Sequence, residues 1–271
     1  MAKQEGDREL VEGLVKGLAV ISSFDEDSPE MTLTEVSKKT GYSPAATRRS
    51  LFTLARLGYV RQVGRNFLLT PKILLLGSAY LRSAGVEEAL VPVLRNVVER
   101  FPDESSVAVL NGDRILYVAH TVHRSVLRSF AGTGVTHPAY LTSMGRVLLG
   151  TLDADAFAKY LENLVMIPFT DATLTDKAEF AATIERTRRD GYSVAVDQIA
   201  FGVTAIAVPI TLPSGRVVAS LNSSGYTGRL TTDELVEKRL PYLRTAAAQV
   251  SDILEVHPAL RESLQSDRQL P

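Results

Sequence analysis

The chain has 271 residues, with 30 Lys and Arg against 31 Asp and Glu and no cysteine. The missing thiols exclude a disulfide framework, a thiolate metal site and a Cys nucleophile. With 45% hydrophobic and 23% charged residues the composition is that of a folded globular chain, one large domain or two of ordinary size. No stretch approaches the roughly 18 apolar residues of a membrane span, and residues 1–7 lack the apolar run of an export signal. The sequence reads as that of a soluble, cytoplasmic protein with no membrane partner.

The charge is unevenly placed. Acidic residues crowd the first 35 positions. Between positions 36 and 86 stand nine basic residues (Lys38, Lys39, Arg48, Arg49, Arg56, Arg61, Arg65, Lys72, Arg82) and no Asp or Glu. The block is rich in Leu, Val and Phe, so it is a candidate folded surface of one sign rather than a solvated tail. Such a surface favours a polyanion, because releasing condensed counterions drives binding to nucleic acid.

Residues 8–24 predict a helix with Leu10, Leu14, Leu18 and Ile21 on one face, and Ser28-Pro29-Glu30 breaks it. Thr32 or Thr34 can cap a short second helix through Thr40, with Leu33 and Val36 inward and Gly41 closing it. Ser43 followed by Pro44 opens a third helix to about Leu57. Helix, Gly-containing turn, helix is the helix-turn-helix arrangement. On the third helix, Thr47, Ser50, Leu51, Leu54 and Leu57 fall on one side and Ala45, Arg48, Arg49, Phe52 and Arg56 on the other. With the helix rotated, Phe52 would be core. Residues 59–63 and 66–70 flank Gly64-Arg65, a hairpin with a basic tip suited to the phosphate backbone or minor groove. The DNA-binding candidates are Ser43, Ala45, Arg48, Arg49, Phe52, Arg61 and Arg65.

From residue 86 onward the balance turns to 22 acidic and 18 basic residues. A helical pattern at 86–100 leads into two apolar runs, 106–110 and 115–120, around Asn111-Gly112-Asp113, which predict a β-hairpin. A strand at 125–130 and a Gly132-Thr133-Gly134 turn follow. Helices are expected at 145–152, 153–164 and 176–190, and strands at 192–196, 203–210 and 216–222. A last helix opens at Thr231-Thr232-Asp233-Glu234 and stops near Pro258. The pattern implies an α+β fold on a mainly antiparallel sheet.

Met31-Thr32-Leu33-Thr34-Glu35-Val36-Ser37, Gly41-Tyr42-Ser43-Pro44 and Leu51-Phe52-Thr53-Leu54-Ala55-Arg56-Leu57-Gly58-Tyr59-Val60 resemble the winged-helix domain of IclR-family transcriptional regulators. Leu74-Leu75-Leu76-Gly77-Ser78-Ala79-Tyr80-Leu81 is similar to that family's linker helix. His137-Pro138-Ala139-Tyr140-Leu141-Thr142-Ser143-Met144-Gly145-Arg146-Val147-Leu148-Leu149, Asp197-Gln198, Gly202 and Ala205-Ile206-Ala207-Val208-Pro209-Ile210 resemble the effector domain of its aromatic-catabolism subgroup, regulators of protocatechuate, β-ketoadipate and 4-hydroxybenzoate pathways. The resemblance implies a winged helix-turn-helix DNA-binding domain over 1–71, a linker helix over 72–85 and a GAF-like effector-binding domain over 86–271. It implies homodimers or tetramers (dimers of dimers) on a double-stranded DNA operator. It also implies a small organic acid as effector, meeting Ser143 and Met144, with Val126, His137, Asp197, Val203, Ala205, Asn222 and Ser224 lining the pocket.

The residues themselves allow Thr142 or Ser143 to cap a helix whose first N–H groups could face a carboxylate, or simply to cap an ordinary helix. Arg124, Arg128 and Arg146 are carboxylate partners by charge alone, or surface and salt-bridged arginines. No His-Glu-x-x-His, Walker or Gly-x-Gly-x-x-Gly motif is present, and Leu141-Thr142-Ser143-Met144-Gly145 lacks the first glycine of a nucleophile elbow. No catalytic residue, metal site or cofactor is expected. The rival readings are a small-acid hydrolase or isomerase with an accessory nucleic-acid-binding module, and a winged-helix scaffold without a ligand.

Overall fold

The computed structural model describes residues 10–124, 126, 129 and 131–265, and the chain forms two compact units that part after Tyr80. The first holds α1 (Glu12–Ser22), β1 (Glu30–Thr32), α2 (Leu33–Thr40), α3 (Pro44–Arg56), β2 (Val60–Val63) and β3 (Asn66–Leu69). The helix α4 (Leu74–Ser83) runs through the division. Thr32 caps α2 in a reciprocal box with Glu35, and Gly41 ends it in the left-handed conformation, φ 73°. Ser43 caps α3, with Pro44 in its first turn. The chain therefore turns sharply between two short helices and presents α3 at the surface.

Val20, Met31, Val36, Leu51, Leu54, Val60 and Phe67 form this unit's core, and Leu33 packs against it. Three expectations are corrected. The hairpin gains a third strand: β1 pairs antiparallel with β3, so that Met31 opposite Phe67 closes the core from the far edge. Only Val20 of α1 is fully buried, while Leu10, Leu14 and Leu18 are exposed. Ile21, the last member of the apolar face read from the sequence, packs against the core, so that face turns inward only at the C-terminal end of α1 and is a surface stripe before it. Leu57, expected inward, lies exposed just after α3 ends.

The second unit contains α5 (Val86–Arg100), β4 (Glu104–Asn111), β5 (Arg114–Val122), β6 (Thr136–Pro138), α6 (Ser143–Leu149), α7 (Ala154–Asn163), α8 (Lys177–Asp190), β7 (Ser193–Val196), β8 (Val203–Thr211) and β9 (Val217–Tyr226). Then come α9 (Thr232–Glu234), a π turn (Leu235–Arg239), α10 (Leu240–Val256) and α11 (Pro258–Leu264). The sheet order is β6-β5-β4-β9-β8-β7, antiparallel throughout. Adjacent residues on a strand face opposite sides, and β9 shows both. Ser223 reaches Arg239, ahead of α10, and Asn222 faces the side that α6 covers.

The expected strand at 125–130 falls largely outside the described residues, and its described members, Val126 and Ser129, are not in a strand. The edge strand β6, the π turn and α11 carry no separate expectation from the sequence. The expected long helix ends at Val256, just ahead of Pro258, and Pro258 then opens a further helix at its first turn. The helix α6 starts at Ser143, two residues before the expected position.

Candidate functional site

The first unit offers a surface. Ala45, Arg48, Arg49, Phe52 and Arg56 are exposed along α3, and Arg61 and Arg65 on the hairpin are exposed too. Phe52 is 53% exposed, which settles the rotation of the helix. The Arg48 guanidinium lies over the Phe52 ring, 5.4 Å from its centroid, a contact that orients a long side chain without neutralising it. Among the described residues none of Arg48, Arg49, Arg56, Arg61 and Arg65 forms an ion pair. Arg65 follows Gly64, whose φ of 60° makes the tight tip that carries it. Ser43 is the helix cap, its Oγ accepting from the Ala46 N–H at 3.4 Å.

The second unit offers a cavity of about 400 Å³ between α6 and the sheet, within the range of small-ligand sites. Of the nine residues expected there, eight line it: Val126, His137, Ser143, Met144, Val203, Ala205, Asn222 and Ser224. Their convergence follows from register. Ala205 pairs with Ser224, which pairs with Glu104 on the other side, and Asn222 pairs with Ser106, so alternate residues of β8, β9 and β4 share the cavity face. Asn222 Oδ1 accepts from the Ser106 N–H at 2.8 Å, which fixes the amide orientation and leaves Nδ2 as a donor.

Above the sheet, Thr142 Oγ1 accepts from the Gly145 N–H at 2.9 Å and caps α6. Gly145 is obligatory there, since a Cβ would stand 2.1 Å from the Ala139 carbonyl oxygen. That close approach seats Ser143 and Met144, each 1% exposed, on the cavity roof. Tyr117 meets His137 edge-on at 5.7 Å, and burial beside Glu104 pushes the Tyr117 phenol well above its ordinary range.

Asp197 does not line the cavity. With φ 51° it turns the chain out of β7, and its Oδ1 accepts from the Gly202 N–H and from Thr227 Oγ1, both at 2.8 Å. Its carboxylate shapes the rim that carries Phe201 and Gly202. Arg146, a candidate carboxylate partner, also points elsewhere. It is buried and donates to the carbonyls of Tyr140 and Val194 and to Gln198 Oε1. Burial pushes its guanidinium down to about 10, so it stays charged near neutrality. Through Gln198, which also takes the Leu174 N–H and itself lines the cavity, Arg146 anchors the rim from behind. Arg124 is exposed, and Arg128 lies outside the described residues.

Residues that the sequence reading missed include Glu104, Tyr117, Gln198 and Tyr226 on the cavity lining, and Arg239 beneath it. The π turn aims Arg239 inward, where it pairs with Asp103 at 2.5 Å, donates to Ser223 Oγ at 2.7 Å and lies over the Phe101 ring. Hydropathy patterning assigns an arginine at that spacing to solvent, so no local signal marks it. Among the described residues no group of three or more His, Asp or Glu side chains could hold a metal ion, and no helix is long and apolar enough to cross a membrane.

Two family descriptions match the chain: the IclR helix-turn-helix domain over residues 13–64 and "Bacterial transcriptional regulator IclR C-terminal" over residues 78–252. The chain is 38% identical over 244 residues to the Pca regulon regulatory protein of Pseudomonas putida, covering 89% of this chain and 84% of that protein. A crystal structure of a regulator from Rhodococcus sp. RHA1 superposes with a TM-score of 0.74 at 37% identity, over 91% of this chain and 99% of that one. An IclR homolog from Microbacterium hydrocarbonoxydans, crystallised with 4-hydroxybenzoate, shares the fold at 21% identity, with a TM-score of 0.71 over 90% and 99% of the two chains. The matched relatives are regulators of transcription, which sets aside the enzyme reading. The chain belongs to the IclR family of bacterial transcriptional regulators, alongside the regulators of aromatic-acid catabolism.

Proposed function

We propose that this regulator reads an operator through α3 and the hairpin, and that a small aromatic acid held between α6 and the sheet controls that binding in the cytoplasm. The observation that carries the reading is the convergence of eight of the nine expected residues on one cavity, in the chain whose other unit exposes five arginines without an ion pair among the described residues. The Pseudomonas relative regulates a Pca regulon, and the Microbacterium homolog binds 4-hydroxybenzoate; both support an aromatic acid or its ring-cleavage product as effector. Residues 1–71 would carry DNA reading, 72–85 the link and 86–271 the effector.

One recognition helix provides too little specific contact, so two copies place two of them in major grooves about 34 Å apart. The exposed Leu10 ahead of α1, Leu14 and Leu18 on it, and Leu74 and Leu75 of α4 supply apolar surface for such pairing. An effector then acts by binding one arrangement of the paired heads more tightly than another.

Fluorescence anisotropy of the full chain tests this on DNA from upstream of its own gene against scrambled DNA, with and without protocatechuate, β-ketoadipate and 4-hydroxybenzoate. Salt-sensitive binding that prefers the upstream DNA and shifts with one acid is the expected result. Equal weak binding to both DNAs, unmoved by any acid, refutes the reading.

A further inference from the structure

Glu104 opens β4 on the cavity lining, half-buried, opposite Ser224. Its neighbour Asp103 is neutralised by Arg239, but among the described residues no cation pairs with Glu104. Arg229, exposed at the cavity rim, is beyond ion-pair distance. One Glu104 oxygen accepts from Ser129 Oγ at 2.8 Å. Burial, and then the adjacent Asp103 charge, push its carboxyl above the usual range, against the smaller opposing effect of Ser129. A carboxylate in a largely apolar pocket is costly unless a counter-charge lies close, and the described residues place none within ion-pair distance. It is also a strong hydrogen-bond acceptor and repels a second anion.

Along β9, Asn222 lies two residues from Ser224, about 7 Å away at Cα and on the same face of the sheet. The cavity thus has an acceptor end at Glu104 and a donor end at Asn222 Nδ2.

Resting on the aromatic-acid reading above, we infer that Glu104 is the specificity-determining residue of the cavity. Its carboxylate accepts a hydrogen bond from a ring hydroxyl of the bound acid and, by repulsion, turns the acid's own carboxylate toward Asn222. The effector is accordingly a hydroxylated aromatic acid, and an unsubstituted benzoate is a poor ligand.

Calorimetric titration of the full chain with benzoate, 4-hydroxybenzoate and 3,4-dihydroxybenzoate tests this. The unmodified chain is expected to prefer a hydroxylated acid over benzoate by about tenfold or more, the scale of one charge-assisted hydrogen bond. Glu104→Leu should weaken the hydroxylated acids about tenfold and leave benzoate unchanged or tighter. Glu104→Gln, which keeps an acceptor and loses the charge, should retain part of the preference. An unchanged preference in the variants, or an equal loss of all three acids, overturns the inference while the aromatic-acid reading stands. If none of the three acids binds the unmodified chain, the aromatic-acid reading falls and this inference with it.

Discussion

The candidate DNA-facing residues Arg48, Arg49, Phe52, Arg61 and Arg65 stand outside a small core, on one short stretch of chain, with water on their far side. The cavity of the second unit is assembled from α6 and from β4, β5, β6, β8 and β9, and its polar groups sit inside a core. The difference is energetic. An exposed arginine carries little desolvation cost, so a surface can be changed one residue at a time without risk to the fold. A cavity removes its polar groups from water, so each needs a partner built into the frame: Asn222 has Ser106 and Asp103 has Arg239, while Arg146, behind the rim, has three acceptors. Recognition and stability are separable in the first unit and joined in the second.

The largest expected effect exploits that joining. Arg239 is buried and paired with Asp103, and removing one partner of a buried pair typically costs about 3–5 kcal/mol. Arg239→Ala should lower the urea midpoint of the second unit's transition by a corresponding amount while that of the first unit stays put. An unaltered second transition would mean that the pair is dispensable and the comparison fails. Gly145→Ala comes next. The added methyl meets the Ala139 backbone, and overpacking of this kind costs about 1–3 kcal/mol. Because α6 must shift to accept it, the variant should also lose the acid-induced change in DNA binding. A normal acid titration would show that the roof is not part of the response.

How much of this was legible in the chain follows from the same contrast. The helix-turn-helix could be read because its signals are local: Thr32 and Glu35, Gly41, Ser43 and Pro44 lie close together and each acts on its own turn. The antiparallel strands could be read from alternation and turn residues. The strand β1 could not, since three residues carry no period and their pairing with β3 is tertiary. Nor could Glu104 or Arg239, whose roles depend on which strand lies opposite and on a π turn that rotates one side chain inward. The place of Ser143 at a helix start could be read from the residues themselves, but its meeting with Asn222 and Ser224 became visible only through likeness to a family. Residues 143 and 222 are far apart in sequence, and no spacing rule links them. Even so, Asp197 shapes the rim from outside the lining, because its carboxylate is already engaged by Gly202 and Thr227.

On the first unit, Arg48→Ala or Arg49→Ala should weaken specific DNA binding by about 1–3 kcal/mol if that side chain reads a base edge, with no change in the unit's unfolding midpoint. A loss equal on specific and scrambled DNA reassigns that arginine to the phosphate backbone. A loss of folding would contradict the separability argued above.

The smallest effect is expected inside that unit's own core. Thr47 is fully buried on the inward side of α3, and its Oγ1 has no hydrogen-bond partner among the described residues. An unsatisfied hydroxyl destabilises the folded state, and valine fills nearly the same volume without it. Thr47→Val should therefore stabilise the first unit by about 1 kcal/mol, a rise of roughly 4–8 °C in its Tm for a domain of this size. Operator affinity should be unchanged, because the side chain faces away from the arginines. A lowered Tm would show that the hydroxyl is bonded after all. A changed affinity at unchanged stability would show that the core of the winged helix tunes its DNA surface, and the first unit would then obey the rule of the second.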